Sequence, residues 1–233
     1  MSLSSRRLLS TLVLGSWCAL FWFLHFADRV NLYLSSRTEW VAMTGALILT
    51  GATVGRLLSA RTTKPEPITR SDAVGASLLL LPVVVVLALP PASLGSFAAS
   101  RRSTLSTAGV APSAEEIASG DISLVDVGSA QRTPEAMGAL TDRAGDEVNF
   151  TGFVTREQGD PADEFTLNRF IISCCVADAL AVRVRVIGAP TGLVEEDDWV
   201  RVTGQIYPLG GDVVVDASEV NKVSRPRHPY LNP

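Results

Sequence analysis

The chain has 233 residues and a formal net charge of −4, room for a membrane-embedded helical region plus one small soluble domain. The charge divides unevenly, with 8 basic and 4 acidic side chains over residues 1–90 but 12 and 20 over residues 91–233. So acidic a second half excludes a nucleic-acid surface, which must be basic, and three cysteines are too few for a disulfide framework.

Three apolar stretches, Leu8–Phe26, Trp40–Leu58 and Ala73–Leu89, come first. Each is long enough to cross a bilayer, because about 20 residues at ~1.5 Å of helical rise cover about 30 Å of hydrocarbon. Arg6 and Arg7 before the first stretch resemble the start of a secretory signal. The stretch is long, however, and Ala27-Asp28-Arg29-Val30 offers no small-x-small cleavage site, so an uncleaved anchor is expected. Basic flanks set the expected orientation. Arg6, Arg7, Arg56, Arg61, Lys64 and Arg70 place the N-terminus and the second loop in the cytoplasm, and three crossings put residues 91–233 outside. Arg101 and Arg102 oppose that orientation. Gly51 and Gly55 form a GxxxG pattern in the second span, and Gly15 with Ala19 gives the first a similar ridge of small residues. Either ridge serves packing among the three spans or docking on another membrane protein. The span centres carry no charge, which favours an anchor or subunit over an autonomous transporter.

Residues 91–120, rich in Pro, Ala, Ser and Gly, read as a linker. A short helix is expected within it over Ser113–Ala118, with Ser113 and Glu116 as its capping box. Ile122–Val127 reads as a short strand, and Thr133-Pro134-Glu135 opens a helical segment ending near Leu140. A soluble β-domain spans residues 121–224. Its strands are predicted at Asp146–Arg156, Glu164–Cys174, Leu180–Ile187, Trp199–Tyr207 and Asp212–Val220. Val182, Val184 and Val186 alternate with Arg183 and Arg185, and Gly210-Gly211 marks a tight hairpin. Five short strands fit a small all-β barrel of the OB type, with a β-sandwich fragment as the alternative. The Pro-rich tail, residues 225–233, reads as an extended arm whose Tyr230 packs on the barrel or on a partner.

The adjacent pair Cys174-Cys175 leaves three readings open. One cysteine fills the barrel and the other packs under a loop; or both thiolates, with Asp178, hold zinc or copper; or the pair is a strained, labile dithiol outside the membrane. Neighbours on an ideal strand face opposite ways, so joint chelation requires the strand to end there, and Ala177-Asp178-Ala179 looks like such a turn. The two histidines are His25 at the membrane and His228 in the tail, so a Ser-His-Asp or Cys-His pair would need the tail to fold in. With no glycine-rich phosphate loop either, the chain reads as no enzyme. Glu195-Glu196-Asp197-Asp198 reads as a solvated loop without the ligand spacing of a calcium site.

Several segments together resemble one family. They are Leu89-Pro90-Pro91-Ala92-Ser93-Leu94, Gly152-Phe153-Val154, Arg169-Phe170-Ile171-Ile172-Ser173-Cys174-Cys175-Val176-Ala177-Asp178-Ala179 and Pro229-Tyr230. They are similar to the YcgQ-like family, bacterial membrane proteins regarded as subunits of two-component permeases and paired with a polytopic YcgR-like permease. The resemblance implies an accessory subunit whose outer β-domain assists assembly or substrate capture. A soft-metal chaperone or sensor, and a membrane-tethered thiol oxidoreductase, are the alternatives. Some relatives carry a histidine-rich loop between spans two and three. Here residues 59–70 hold no histidine, so a metal role would rest on Cys174, Cys175 and Asp178.

Overall fold

The computed structural model describes residues 2–3, 5–59, 61–62, 67–89, 92–101, 113–157 and 159–233. Pro90-Pro91, Lys64 and residues 102–112 of the expected linker lie outside the described residues. The chain divides into two compact units, Met1–Val30 with Thr38–Pro91, and Asn31–Arg37 with Ala92–Pro233.

The first unit is built on three helices, α1 (Ser5–Phe26), α2 (Glu39–Leu58) and α3 (Arg70–Ala88), each long and apolar enough to cross a membrane. The apolar runs decide their cores, while a polar cap extends the start of α3 beyond its run. Thr69 accepts from the Asp72 N–H at 3.2 Å and Asp72 accepts from the Thr69 N–H at 3.0 Å, a capping box that begins α3 at Arg70. Helix α1 packs on both others. Among apolar side chains a buried polar group needs a partner. Trp22 Nε1 accordingly donates to Thr50 Oγ1 at 3.0 Å, and Trp17 Nε1 to the Leu79 carbonyl at 3.0 Å, beside Pro82.

The second unit is a closed barrel of five strands: β1 (Glu147–Thr155), β2 (Phe165–Ile171), β3 (Leu180–Ile187), β4 (Trp199–Leu209) and β5 (Asp212–Lys222). The order is β1-β4-β5-β3-β2, and β2 closes back on β1 through the Phe153–Asn168 to Thr155–Thr166 pairs. Only β3 and β5 run parallel within the barrel, the Greek-key arrangement of the OB class. Alternation fills the interior with Phe165, Leu167, Val182, Val184, Val202 and Ile206, all at most 1% exposed. Burying each such side chain stabilises by roughly 1.5–3 kcal/mol.

Helices α4 (Ser96–Arg101), α5 (Ala114–Ser119), α6 (Leu124–Ala130) and α7 (Pro134–Thr141) precede the barrel in sequence. Ile117 of α5, Val127 of α6 and Leu140 of α7 join the barrel core and plug it. The capping box Ser113/Glu116 starts α5 as the sequence predicts. The strand expected at Ile122–Val127 is instead helix α6. Ser123 accepts from the Val125 and Asp126 N–H groups, and Asp126 accepts from the Ser123 N–H at 2.7 Å, so a third capping box starts a helix there.

Candidate functional site

Strand β2 stops at Ile171, three residues before the predicted end, and the chain turns through Ser173-Cys174-Cys175 into a 3-10 turn at Val176–Asp178. Asp178 makes the turn. Its carboxylate accepts from the Ser173 N–H at 3.1 Å and the Cys174 N–H at 2.8 Å, pinning the loop across its own mouth. The strand has therefore ended where the cysteines begin, and their sulfurs lie 3.7 Å apart, Cys174 exposed and Cys175 half-buried.

The loop pairs with a distant segment. Ser35 N–H donates to the Cys174 carbonyl at 3.1 Å, Val176 N–H donates to the Tyr33 carbonyl at 2.9 Å, and Leu34 bridges Cys175 as an antiparallel partner. Residues 31–37, the connection between α1 and α2, are thus folded into the barrel unit. Further ties come from residues 227–232. Asn31 Nδ2 donates to the Arg227 carbonyl at 2.7 Å, and Ser35 Oγ donates to Asn232 Oδ1 at 2.5 Å.

The electrostatics of the loop follow from these bonds. The Cys174 thiol is pushed up to about 11, first by its hydrogen bond with Asp178, then by that with Cys175. Partial burial works to raise Asp178. The Cys174 thiol and the N–H groups of Cys174, Ser173 and Cys175 outweigh it and hold the carboxyl below the usual range. Among the described residues, no group of three or more His, Cys, Asp or Glu side chains is arranged to hold a metal ion. The Asp178 oxygens face backbone donors, and His228 is an exposed residue whose carbonyl accepts from Arg169.

The tail folds back. Tyr230–Leu231 forms β6, parallel to β2 at Phe170 and Ile171. Tyr230 is buried, its hydroxyl donating to the Leu32 carbonyl at 3.2 Å and accepting from the Leu94 N–H at 3.0 Å. Arg169 clamps the same tail, reaching the His228 carbonyl at 3.0 Å and the Thr151 carbonyl at 3.0 Å, and burial pushes its pKa down. Sequence reasoning missed this role for Arg169, and also that of Asp197. In the acidic run, read as solvated, Asp197 accepts from Ser96 N–H at 2.7 Å and Ser96 Oγ at 2.9 Å, at the start of α4.

OB barrels bind chains across strands two and three, here β2 and β3. On this protein half of that face is already occupied. Phe153, Phe170, Ile172 and Ala181 form a second apolar cluster under Ala99 of α4 and Tyr230 of β6. The open remainder is a cavity of about 340 Å³ where Arg183 and Arg185 meet Glu157, Asp160, Glu164 and Asp212, with Arg185 paired to Glu164. It offers neither the basic track nor the stacking aromatics that single strands require.

The predicted helix-packing residues separate. Gly15 faces Thr53 Cγ2, 3.7 Å from where a Cβ would lie, whereas Ala19 is exposed. Among the described residues, nothing lies within 4 Å of a Cβ built on Gly51 or Gly55. A closer α1–α2 approach is at Gly45, 3.2 Å from the Phe21 ring by the same measure, which no pattern in the sequence had marked.

Residues 118–233 match the family described as DUF1980 C-terminal domain, a match that begins inside α5 and takes in the whole barrel. No curated protein matches the chain.

Proposed function

We propose that this chain is an accessory subunit of a two-component permease, anchored by its three spans in a bacterial cell membrane beside a polytopic partner of the YcgR-like kind. The observation that carries the reading is the face of α2. Gly51 and Gly55 form a close-approach surface that the chain's own helices leave uncovered, flanked by Leu47, Ile48 and Val54, each more than half exposed. Only 6%, 11% and 6% of the three spans is buried within the protein, so lipid or foreign helices must cover the rest. The DUF1980 match and the membrane helices support a membrane-associated accessory role.

The positive-inside pattern supports a cytoplasmic N-terminus and an outer barrel. The sharing of one compact unit by residues 31–37 and 92–233 agrees with three crossings, since both segments must then lie on one side. The outer barrel assists assembly or substrate capture. Replacing both Gly51 and Gly55 with leucine is expected to abolish co-purification with the permease from mild detergent while leaving the amount of the chain in the membrane unchanged. Undiminished recovery of the partner would reject α2 as the contact.

A further inference from the structure

At the end of the helical unit that carries Arg6 and Arg7, the three helices part around a cavity of about 700 Å³. Its rim holds the guanidinium groups of Arg6, Arg7 and Arg56 against one carboxylate, Asp72. The chain orders these groups itself. Arg6 pairs with Asp72 at 3.1 Å, Arg7 donates to the Ser59 carbonyl at 2.5 Å, and Arg56 donates to Ser10 Oγ at 2.9 Å. A guanidinium has five N–H donors, so the described bonds of Arg7 and Arg56 leave most of theirs able to meet a further acceptor. Below the rim the walls become apolar, with Val13 and Leu14 of α1 facing Ala76 and Leu79 of α3. Between them the surface of α3 is bare at Gly75, where an added Cβ would meet nothing within 4 Å.

A net positive rim above a narrow apolar cleft matches a molecule with a phosphate at one end and a hydrocarbon chain at the other. We propose that this cleft binds one anionic phospholipid from the leaflet on the N-terminal side, its phosphate on Arg7 and Arg56 and an acyl chain along Gly75 and Leu79. A free phosphate would satisfy the rim but leave the apolar cleft unfilled. A zwitterionic lipid would fill the cleft but bring an ammonium group to a rim already cationic. The bound lipid also adds packing between α1 and α3, the less extensive of the two helix contacts that α1 makes.

The test uses the full-length protein in nanodiscs made of equal parts phosphatidylglycerol and phosphatidylcholine, with retained lipid counted by native mass spectrometry after release. One phosphatidylglycerol per chain is expected to remain in clear preference to phosphatidylcholine. Arg7→Gln and Arg56→Gln should each cut that preference roughly 5-fold, and on the order of 30-fold together. Gly75→Leu, which fills the cleft and leaves the charges, should remove retained lipid of both kinds. Arg70→Gln, at the same membrane face but outside the cavity lining, should change nothing. Equal retention of the two lipids, or a loss with Arg70→Gln as large as with Arg56→Gln, would overturn the site. So would protection against thermal unfolding by inorganic phosphate equal to that by phosphatidylglycerol.

Discussion

Cys174 keeps its proton through its neighbours, although its side chain is open to solvent. The hydrogen bond with Asp178, then that with Cys175, favours the neutral thiol and moves its pKa from an ordinary 9.0 to about 11. The thiolate is the nucleophile and the metal ligand, and at pH 7 it would be on the order of one part in ten thousand of this group. Because the folded value is raised, the stability tied to this proton is fully present below about pH 9 and lost as pH climbs through about 11. Asp178→Asn is therefore expected to move the midpoint of Cys174 alkylation by iodoacetamide down towards pH 9, measured by peptide mass spectrometry of the full-length protein between pH 7 and 11. A midpoint that stays in place would show that Asp178 does not hold the proton. Asp178 was legible beforehand because it lies four residues from Cys174 in a turn-forming stretch. Arg169 and Asp197 were not, since they reach partners as far as 60 and 101 residues away, and for Tyr230 the sequence showed packing on the barrel but not its partner Leu32, 198 residues away.

The elements were most readable where hydrophobic period and burial coincide. Strand β3 occupies Leu180–Ile187 as its alternation of valine and arginine requires, and β4 and β5 each extend two residues past their predicted ends. Residues 122–127 misled because Ile122, Val125 and Val127 are β-branched, while the decisive signal was the spacing of Ser123 and Asp126. The tail misled in another way. Its prolines argue against a strand, yet β1 leaves β2 beyond the Phe153–Asn168 pair, and the vacated edge at Phe170–Ile171 accepts Tyr230–Leu231. Gly204 is the element-scale hinge that sequence showed only as an inward position. The β4–β5 register slips between Thr203 and Gly204, and a Cβ there would strike the Asp216 carbonyl oxygen and come within 2.9 Å of Ala217 Cα. Backbone cannot swing aside as a side chain can, so Gly204→Ala should cost about 2–3 kcal/mol. Hydrogen exchange of the intact protein would register it as faster exchange over β4 and β5, and unchanged protection would show that the bulge tolerates a methyl group.

On the scale of the whole molecule, the loop of the α1–α2 hairpin belongs structurally to the barrel unit and not to the helices on either side of it. Tyr230 is the fastening, since its one hydroxyl meets Leu32 and Leu94 while its ring closes the second apolar cluster. Tyr230→Phe keeps the ring and removes both bonds, leaving buried backbone groups unpaired at about 1–2 kcal/mol. The Ser35 and Val176 amides should then exchange roughly 10-fold faster while the β4 and β5 amides keep their rates, and equal rates throughout would deny Tyr230 the role. The same fastening orders events during synthesis. Leu32 and Tyr230 are 198 residues apart, which at about 5–20 residues per second is a delay of roughly 10–40 s. For that interval the first hairpin has its helices but not the last partner of its loop, and water must serve the Leu32 carbonyl. A loop made early is thus completed by a segment made 198 residues later, and a ribosome stalled before Tyr230 would leave a helical hairpin with an unfinished end.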